Sequence, residues 1–450
     1  VSRFTAADFG EFLWGAATSA YQIEGAPKAD GKEPSIWDIF SHRWRKIRGG
    51  DNGDIACDHY NRWQQDVALL AELGLNAYRF SLSWPRLVRA DGSANEAGFA
   101  YYRKLLLALR AKNIRPFVTL YHWDLPQYLE ERGGWANRDI VRHFASYTTL
   151  VTRKLGDLAS DFIVLNEPMI FLTLGYLLGI HAPGKRSIKK FFAASHHALL
   201  AQAEAARTIR RELPQARIGT TISTTAVYPA SERPRDRLAA ERFDVLYNTF
   251  YVDPVLGRGY PTRHFPFLRR IEKYVRPGDM AALQFDFDFW GINNYTRKVV
   301  RYSRIMPIIH WRELKHAPGA RVNCMNWEVY PEGLYDLLKK FSAYPEIREL
   351  IVTENGYAAE DQLLAGRVAD PERIQYYQEY LAQILRAKKE GVQVTGYFVW
   401  SLLDNFEWAE GFRPRFGLVH VNYLTQKRTI KDSGYWYRDF VSGKAAVEIT

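Results

Sequence analysis

The sequence predicts an α/β fold: a single (β/α)8 TIM barrel, eight parallel strands each followed by a helix, with long loops forming a cleft and residues 1–450 making one catalytic domain. Three observations lead there. Eight apolar, β-branched runs recur along the chain with helix-like segments between them. No Ser-, Pro- or Gly-rich linker, low-complexity stretch or repeat divides the 450 residues, although that length holds about three average domains. Two of the runs end in a glutamate, Glu167 and Glu354, and a barrel keeps its chemistry at the C-terminal ends of its strands. A doubly wound open sheet is the alternative. No Gly-x-Gly-x-x-Gly follows any run, so its dinucleotide-binding form loses support.

The first run, Phe12–Ala20, leads into Gln22 and then an irregular stretch, Ser41–Cys57. The second, Ala77–Trp84, carries Arg79, and Tyr101–Lys112 after it has helical periodicity. Arg115–Trp123 ends in His122 and Trp123, with helical periodicity again over Arg138–Leu155. The fourth run, Asp161–Glu167, delivers Asn166 and Glu167 from a Phe-Ile-Val-Leu core. Arg217–Thr225 is followed by an irregular segment near Tyr228–Arg237. Phe287–Tyr295 supplies Asn293 and Tyr295, then a long irregular segment, Val300–Val322. The seventh run, Glu349–Asn355, delivers Glu354; Asp370 then caps a helix that Pro371 opens and Gly391 closes. Val394–Leu402 supplies Trp400 and passes into the loop Asp404–Arg415.

Composition is that of a globular protein, 47% hydrophobic and 25% charged, so the core can be large. Thirteen Trp and 27 Tyr fit either that core or a cleft lined with flat faces for sugar rings. Two cysteines, Cys57 and Cys324, make no disulfide framework and no metal site, which fits a reducing, cytoplasmic compartment. The longest apolar run, Met169–Ile180, is too short to span a bilayer and contains Gly175 and Gly179, so no membrane association is expected. No signal peptide is visible. The formal charge of +11 allows a nucleic-acid binder. The basic residues are nevertheless scattered over many helices without basic-aromatic repeats, so no nucleic-acid partner is expected. No His/Asp/Glu cluster has ligand spacing, so neither a metal nor a cofactor is expected.

Each glutamate alone is weak evidence. Their joint occurrence at the fourth and seventh strands is stronger, because those strands face each other across an eight-membered barrel. One carboxyl that gives a proton and one that attacks is what glycosidic-bond cleavage requires. Amides, carboxylates and aromatic faces at the other strand ends suit a hydroxyl-rich ligand.

The sequence resembles family 1 glycoside hydrolases, the β-glucosidase family, along nearly its whole length. The segments that carry the resemblance occur in family order. They are Phe12-Leu-Trp-Gly-Ala-Ala-Thr-Ser-Ala-Tyr-Gln-Ile-Glu-Gly25, Tyr78-Arg-Phe-Ser81, Tyr121-His-Trp-Asp-Leu-Pro126, Asn166-Glu-Pro168, Gly291-Ile-Asn-Asn-Tyr-Thr296, Thr353-Glu-Asn-Gly356, Asp404-Asn-Phe-Glu-Trp408 and Arg415-Phe-Gly-Leu-Val419. The resemblance implies a retaining β-glycosidase acting on terminal β-glucosides, with β-galactosides or β-fucosides tolerated. It implies that Glu354 is the nucleophile and Glu167 the acid/base, with Arg79 and Tyr295 keeping the nucleophile ionised and oriented. It assigns Asn166, Gln22, His122, Trp123, Glu407 and Trp408 to the sugar, with Asn293 in support, Trp400 beneath the ring and Phe416 at the far end. Trp327 resembles the leaving-group platform. The partner implied is a small β-glycoside or oligosaccharide, with the oligomeric state left open.

The sequence departs from the family at Leu165 (usually Thr), Ser223 (usually Asn, facing the leaving group) and Asn294 (usually Tyr, pointing away from the cleft). The rival readings are a 6-phospho-β-glycosidase and a non-catalytic sugar-binding relative. A thioglucosidase would carry an amide in place of Glu167. Two basic segments, His42–Arg48 and the set Arg297, Lys298, Arg301, Arg304, Arg312 and Lys315, fall in loops at the mouth. They read as solvated surface paired with Asp51, Asp54 and Glu313, or as a positive entrance for anionic aglycones.

Overall fold

The computed structural model describes residues 2–306 and 308–449. Eight strands close into a parallel barrel in sequence order: β1 (Leu13–Ala17), β2 (Ala77–Ser81), β3 (Arg115–Tyr121), β4 (Asp161–Asn166), β5 (Arg217–Ser223), β6 (Phe289–Asn293), β7 (Leu350–Asn355) and β8 (Val394–Trp400). All eight coincide with the runs read from the sequence. All but the seventh are shorter at their C-terminal ends, and Trp123, Glu167 and Tyr295 lie just beyond the ladders.

The lumen is packed rather than open. Phe117 meets Phe289 and Phe398 edge-on, with ring centroids 5.9 and 5.1 Å away. Ala17, Ala77, Ile163 and Ile351 fill the space around them. Those rings need glycines beside them. A Cβ on Gly219 would sit 2.3 Å from the Phe289 ring, and one on Gly15 would sit 2.5 Å from Phe398. The N-terminal end is closed by charge. Arg115 grips Asp161 through two bonds of 2.7 and 2.8 Å, and Arg217 bridges Asp161 to Glu349. With one end plugged, the opposite, C-terminal end is left to carry a ligand.

The outer helices bury one stripe each against the strands. In Ile140–Leu155 the buried positions Ile140, Phe144, Tyr147, Val151 and Leu155 recur every three or four residues. The predicted helix over Tyr101–Lys112 starts earlier, at Glu96. Pro371–Lys389 begins where expected, but Asp370 does not cap it with its side chain. Its carboxylate instead accepts from Ser433 N and Oγ, at 2.8 and 2.6 Å, and pairs with Arg373.

Two of the four segments expected to be irregular are partly ordered. Ala226–Pro229, Arg297–Tyr302 and Trp311–Glu313 form one mixed three-stranded sheet, built from the loops after β5 and β6. The strands were not legible because each pairs only with other loop segments. Pro307, within the expected irregular segment Val300–Val322, lies outside the described residues. The loops Ser41–Cys57 and Asp404–Arg415 contain only short 3₁₀ turns. Among the described residues no helix is long and apolar enough to cross a membrane. Cys57 and Cys324 are both free thiols.

Candidate functional site

At the C-terminal end of the barrel the backbone departs from regular pairing at both glutamates. The β4–β5 register breaks between Ile163 and Asn166, and the β6–β7 register between Val352 and Glu354. Glu167 then takes a left-handed conformation (φ 53°) that ends the strand and aims its side chain inward. Both carboxyls are buried, Glu167 at 6% and Glu354 at 4% exposure.

One hydrogen-bonded chain joins them. Arg79, 1% exposed, donates through Nη1 to Glu354 Oε1 at 2.5 Å and through Nη2 to Asn166 Oδ1 at 2.5 Å. Asn293 Nδ2 donates to that same Asn166 oxygen at 3.2 Å and to Glu167 Oε1 at 2.9 Å. Thr353 Oγ1 fixes the amide orientation of Asn293 by donating to its Oδ1 at 2.7 Å. The Tyr295 hydroxyl donates to Glu354 Oε2 at 2.7 Å. Glu354 therefore holds a cation on one oxygen and a phenol on the other, whereas Glu167 receives only a neutral amide.

The electrostatics follow from that difference. Burial first, and then the negative charge of Glu354, push Glu167 up to about 8; the Asn293 bond and Arg79 pull the other way. Burial, then Glu354 and Glu410, push Glu407 up to about 8 as well. Burial and the nearby Arg79 hold His122 well below the usual imidazole range, so it is neutral at pH 7. Burial and the Glu354 charge lift Tyr295 well above the usual phenol range, so it stays a donor.

The remaining predicted residues gather around this pair unevenly. His122 Nε2 meets Asn166 Nδ2 at 3.1 Å, and its ring stacks on Trp400 and Trp408 with centroids 5.8 and 6.0 Å away. Trp123 donates its indole N–H to the Asn166 carbonyl at 2.9 Å and packs on Trp408 at 4.6 Å. Trp327, half-buried, packs against Tyr295 and Phe416 at 5.3 and 6.1 Å. Gln22 sits differently. Its amide N–H groups are spent on Asn405 Oδ1 and the Phe406 carbonyl, at 3.0 and 2.8 Å, and its oxygen accepts from Ser19 at 2.6 Å. It ties the first βα loop to the loop that carries Glu407.

Among the buried polar atoms here that have no partner among the described residues are His122 Nδ1 and Glu407 Oε2. Buried polar groups are rarely left so, and a hydroxyl-bearing ligand would satisfy both. Among the described residues no three His, Cys, Asp or Glu side chains are grouped to hold a metal ion. The basic loops are partly neutralised: His42 pairs with Asp54, Arg48 with Glu410, Arg297 with Glu328 and Lys298 with Glu313. Sequence reasoning passed over Thr353 and Asn405 as site residues, although both lie inside motifs it had singled out.

Residues 6–446 match the sequence profile of glycosyl hydrolase family 1. The chain belongs to that family. It is 43% identical over 434 residues to β-glucosidase A of Thermotoga maritima, covering 96% of both chains. The solved family 1 β-glucosidase of Thermotoga maritima superposes with a TM-score of 0.94 at 42% identity, covering 99% of each chain. A β-glucosidase from the same organism in complex with glucoimidazole gives a TM-score of 0.92 at 42% identity, covering 97% of this chain and 99% of that one. The expected fold and the expected family are both borne out.

Proposed function

We propose that this family 1 protein is a retaining β-glucosidase, acting on terminal non-reducing β-D-glucosides by double displacement, with Glu354 as nucleophile and Glu167 as acid/base. The observation that carries the assignment is the asymmetry of the pair. Glu354 lies against Arg79 and Tyr295, whereas Glu167 is buried, receives only an amide and is pushed up to about 8. A nucleophile must be an anion, and the Arg79 guanidinium supplies its counter-charge. A general acid must hold its proton near neutral pH.

The chemistry follows. Glu167 gives its proton to the glycosidic oxygen as the bond to the anomeric carbon breaks. Glu354 attacks that carbon from the opposite face and forms a glycosyl ester. The ester carries no charge, so the second cause of the raised Glu167 pKa disappears. Glu167 can then take a proton from water, which attacks the anomeric carbon. The ester bond breaks, and the sugar leaves with its original configuration.

His122, Asn166, Trp123, Glu407, Trp408 and Gln22 are proposed to serve the sugar, with Asn293 in support, Trp400 beneath the ring and Phe416 beyond it. Trp327 is proposed to meet the leaving group. The substrate is a small β-glycoside or oligosaccharide, handled by residues 1–450 as one catalytic domain. A 6-phosphorylated sugar is disfavoured, because Glu407 stands at the position assigned to the far hydroxyls and, among the described residues, nothing bonds its Oε2. A non-catalytic role is disfavoured because both carboxyls are present and differently tuned. A cytoplasmic location is proposed on the two unpaired thiols. The test is Glu354→Ala on an activated aryl β-glucoside: turnover is lost, and azide restores it with the inverted α-glucosyl azide as product. Retained turnover without azide would remove Glu354 from the role.

A further inference from the structure

The fold gathers part of the +11 charge that the sequence spreads over many helices. Two segments far apart in the chain meet outside the barrel: the start of the helix Ile188–Glu212 and the 3₁₀ helix Pro266–Tyr274. A 3₁₀ helix repeats every three residues. Leu268 and Ile271 therefore share one ridge, and it is buried. Phe267, Arg270 and Lys273 share the next, and Arg269 shares the third with Glu272. The Phe267 ring packs on Phe192 of the long helix, with centroids 5.4 Å apart, and Arg270 lies over the same ring at 4.6 Å. Ile188 and Lys189 stand one turn before Phe192, on the side of the helix that meets Phe267.

The turn before that helix adds aliphatic surface. Lys185 N donates to the Gly175 carbonyl at 2.8 Å and Ser187 N to the Tyr176 carbonyl at 2.9 Å, which folds Leu178–Ile180 back beside Arg186. Gly179 is left-handed there (φ 68°), and a Cβ on it would sit 2.8 Å from Arg186 Cγ. Leu178, Ile180 and Ile188 are exposed at 47%, 47% and 42%. The charge around them is unbalanced. Lys185 pairs with Glu130, and Glu241 with His264. Among the described residues no ion pair reaches Arg186, Lys189, Lys190, Arg269, Arg270 or Lys273, all of them exposed. Glu272 is the single acid on the 3₁₀ helix.

We propose that this flank docks on an anionic phospholipid bilayer. Arg186, Lys189, Arg270 and Lys273 meet the phosphate headgroups, and Leu178, Ile180 and Ile188 enter the boundary with the acyl chains. Charge complementarity calls for an anionic partner, and the aliphatic side chains choose among anionic partners. A bilayer has apolar depth beneath its phosphates, whereas a nucleic acid has phosphates and stacked bases. Binding to bases takes free aromatic faces, and Phe267 on the basic ridge is held between Phe192 and Arg270. The expectation of no membrane association rested on spanning length, and a surface contact needs none. None of these residues belongs to the catalytic cleft, so the inference stands apart from the catalytic reading.

The experiment is co-sedimentation of the full chain with vesicles of phosphatidylcholine, alone or with a third of the lipid replaced by phosphatidylglycerol, at low and high salt. The wild type should bind the anionic vesicles and not the neutral ones, and salt should weaken the binding. Each Lys or Arg near such a surface is worth about fivefold in partition, so Lys189→Gln with Arg270→Gln should lose roughly twenty-five-fold. Leu178→Ser with Ile188→Ser keeps every charge and should lose roughly tenfold. Both double variants change exposed side chains only and should keep the wild-type Tm. No binding to anionic vesicles, equal binding to neutral ones, or wild-type binding by the serine variant would overturn the inference. Duplex DNA bound more tightly than the vesicles, with no loss in the serine variant, would also overturn it and assign the flank to a polyanion.

Discussion

Replacing Glu354 by Gln should lower the pKa of Glu167 while leaving the shape of the site intact. The size follows from the carboxyl separation that the proposed mechanism requires. Glu167 is pushed up to about 8 by burial first and by the Glu354 charge second. Double displacement requires the two carboxyls about 5 Å apart, and at an effective dielectric of about 20 a unit charge at that distance is worth about 3 kcal/mol, or roughly two pH units. Arg79 remains in the variant without its ionic partner and favours the Glu167 anion further. Burial is untouched, so the value should settle near 6, above an ordinary glutamate. The assay is an NMR titration of carboxyl-labelled glutamate in the wild type and in Glu354→Gln, with Glu167→Gln to assign the resonance. The glycosyl-enzyme, in which Glu354 is an uncharged ester, should show the same drop. An unchanged Glu167 midpoint in the variant would refute the reasoning, because the acid would then owe nothing to its neighbour and could not switch to a base.

The pH profile follows from the same residue: the protonated form is the active acid, so kcat/KM on a poor leaving group should fall as pH rises through about 8. Glu167→Gln assayed on 2,4-dinitrophenyl β-glucoside, which needs little protonation, should lack a limb due to that group; its persistence there would assign the limb elsewhere. Lys431 is fully buried between Asp361 and Asp404, at 2.5 and 2.6 Å, and Asp404 anchors the loop that carries Glu407. Lys431→Met should cost about 3–5 kcal/mol in denaturant unfolding by stranding buried charge, with partial recovery on adding Asp361→Asn. A loss under about 1 kcal/mol would contradict that, being no more than many ordinary substitutions cause. Finally, 4-nitrophenyl β-glucoside should exceed its 6-phosphate in kcat/KM, since a phosphate dianion beside the buried Glu407 Oε2 would lose its hydration with no cation to replace it; the reverse order would refute this assignment of the pocket.

How much was legible in the sequence depended on where each residue's partners lie. The eight barrel strands are buried on both faces, so their Val-Ile-Phe runs announce themselves locally. Glu167 and Glu354 were legible because each terminates such a run. The small sheet of Ala226–Pro229, Arg297–Tyr302 and Trp311–Glu313 was not, since its strands are short, half-exposed and paired across two separate loops. Asp370 has the composition of a cap and sits before Pro371, yet a distant Ser433 and the neighbouring Arg373 claim its oxygens. Gln22 has the chemistry of a sugar ligand, but its amide hydrogens hold the loop at Asn405 and Phe406, nearly four hundred residues away. Contacts made across such separations have no periodicity for a sequence reading to detect.

The central claim is that Glu354 becomes covalently attached to the sugar. A 2-deoxy-2-fluoro-β-glucoside with a good leaving group slows both steps but the second more, so the ester accumulates and can be located by mass spectrometry after proteolysis. The account predicts one label per chain, on the peptide containing Glu354, lost when excess glucoside acceptor turns the intermediate over. A label on Glu167 or Glu407, or complete turnover with no ester formed, would contradict it.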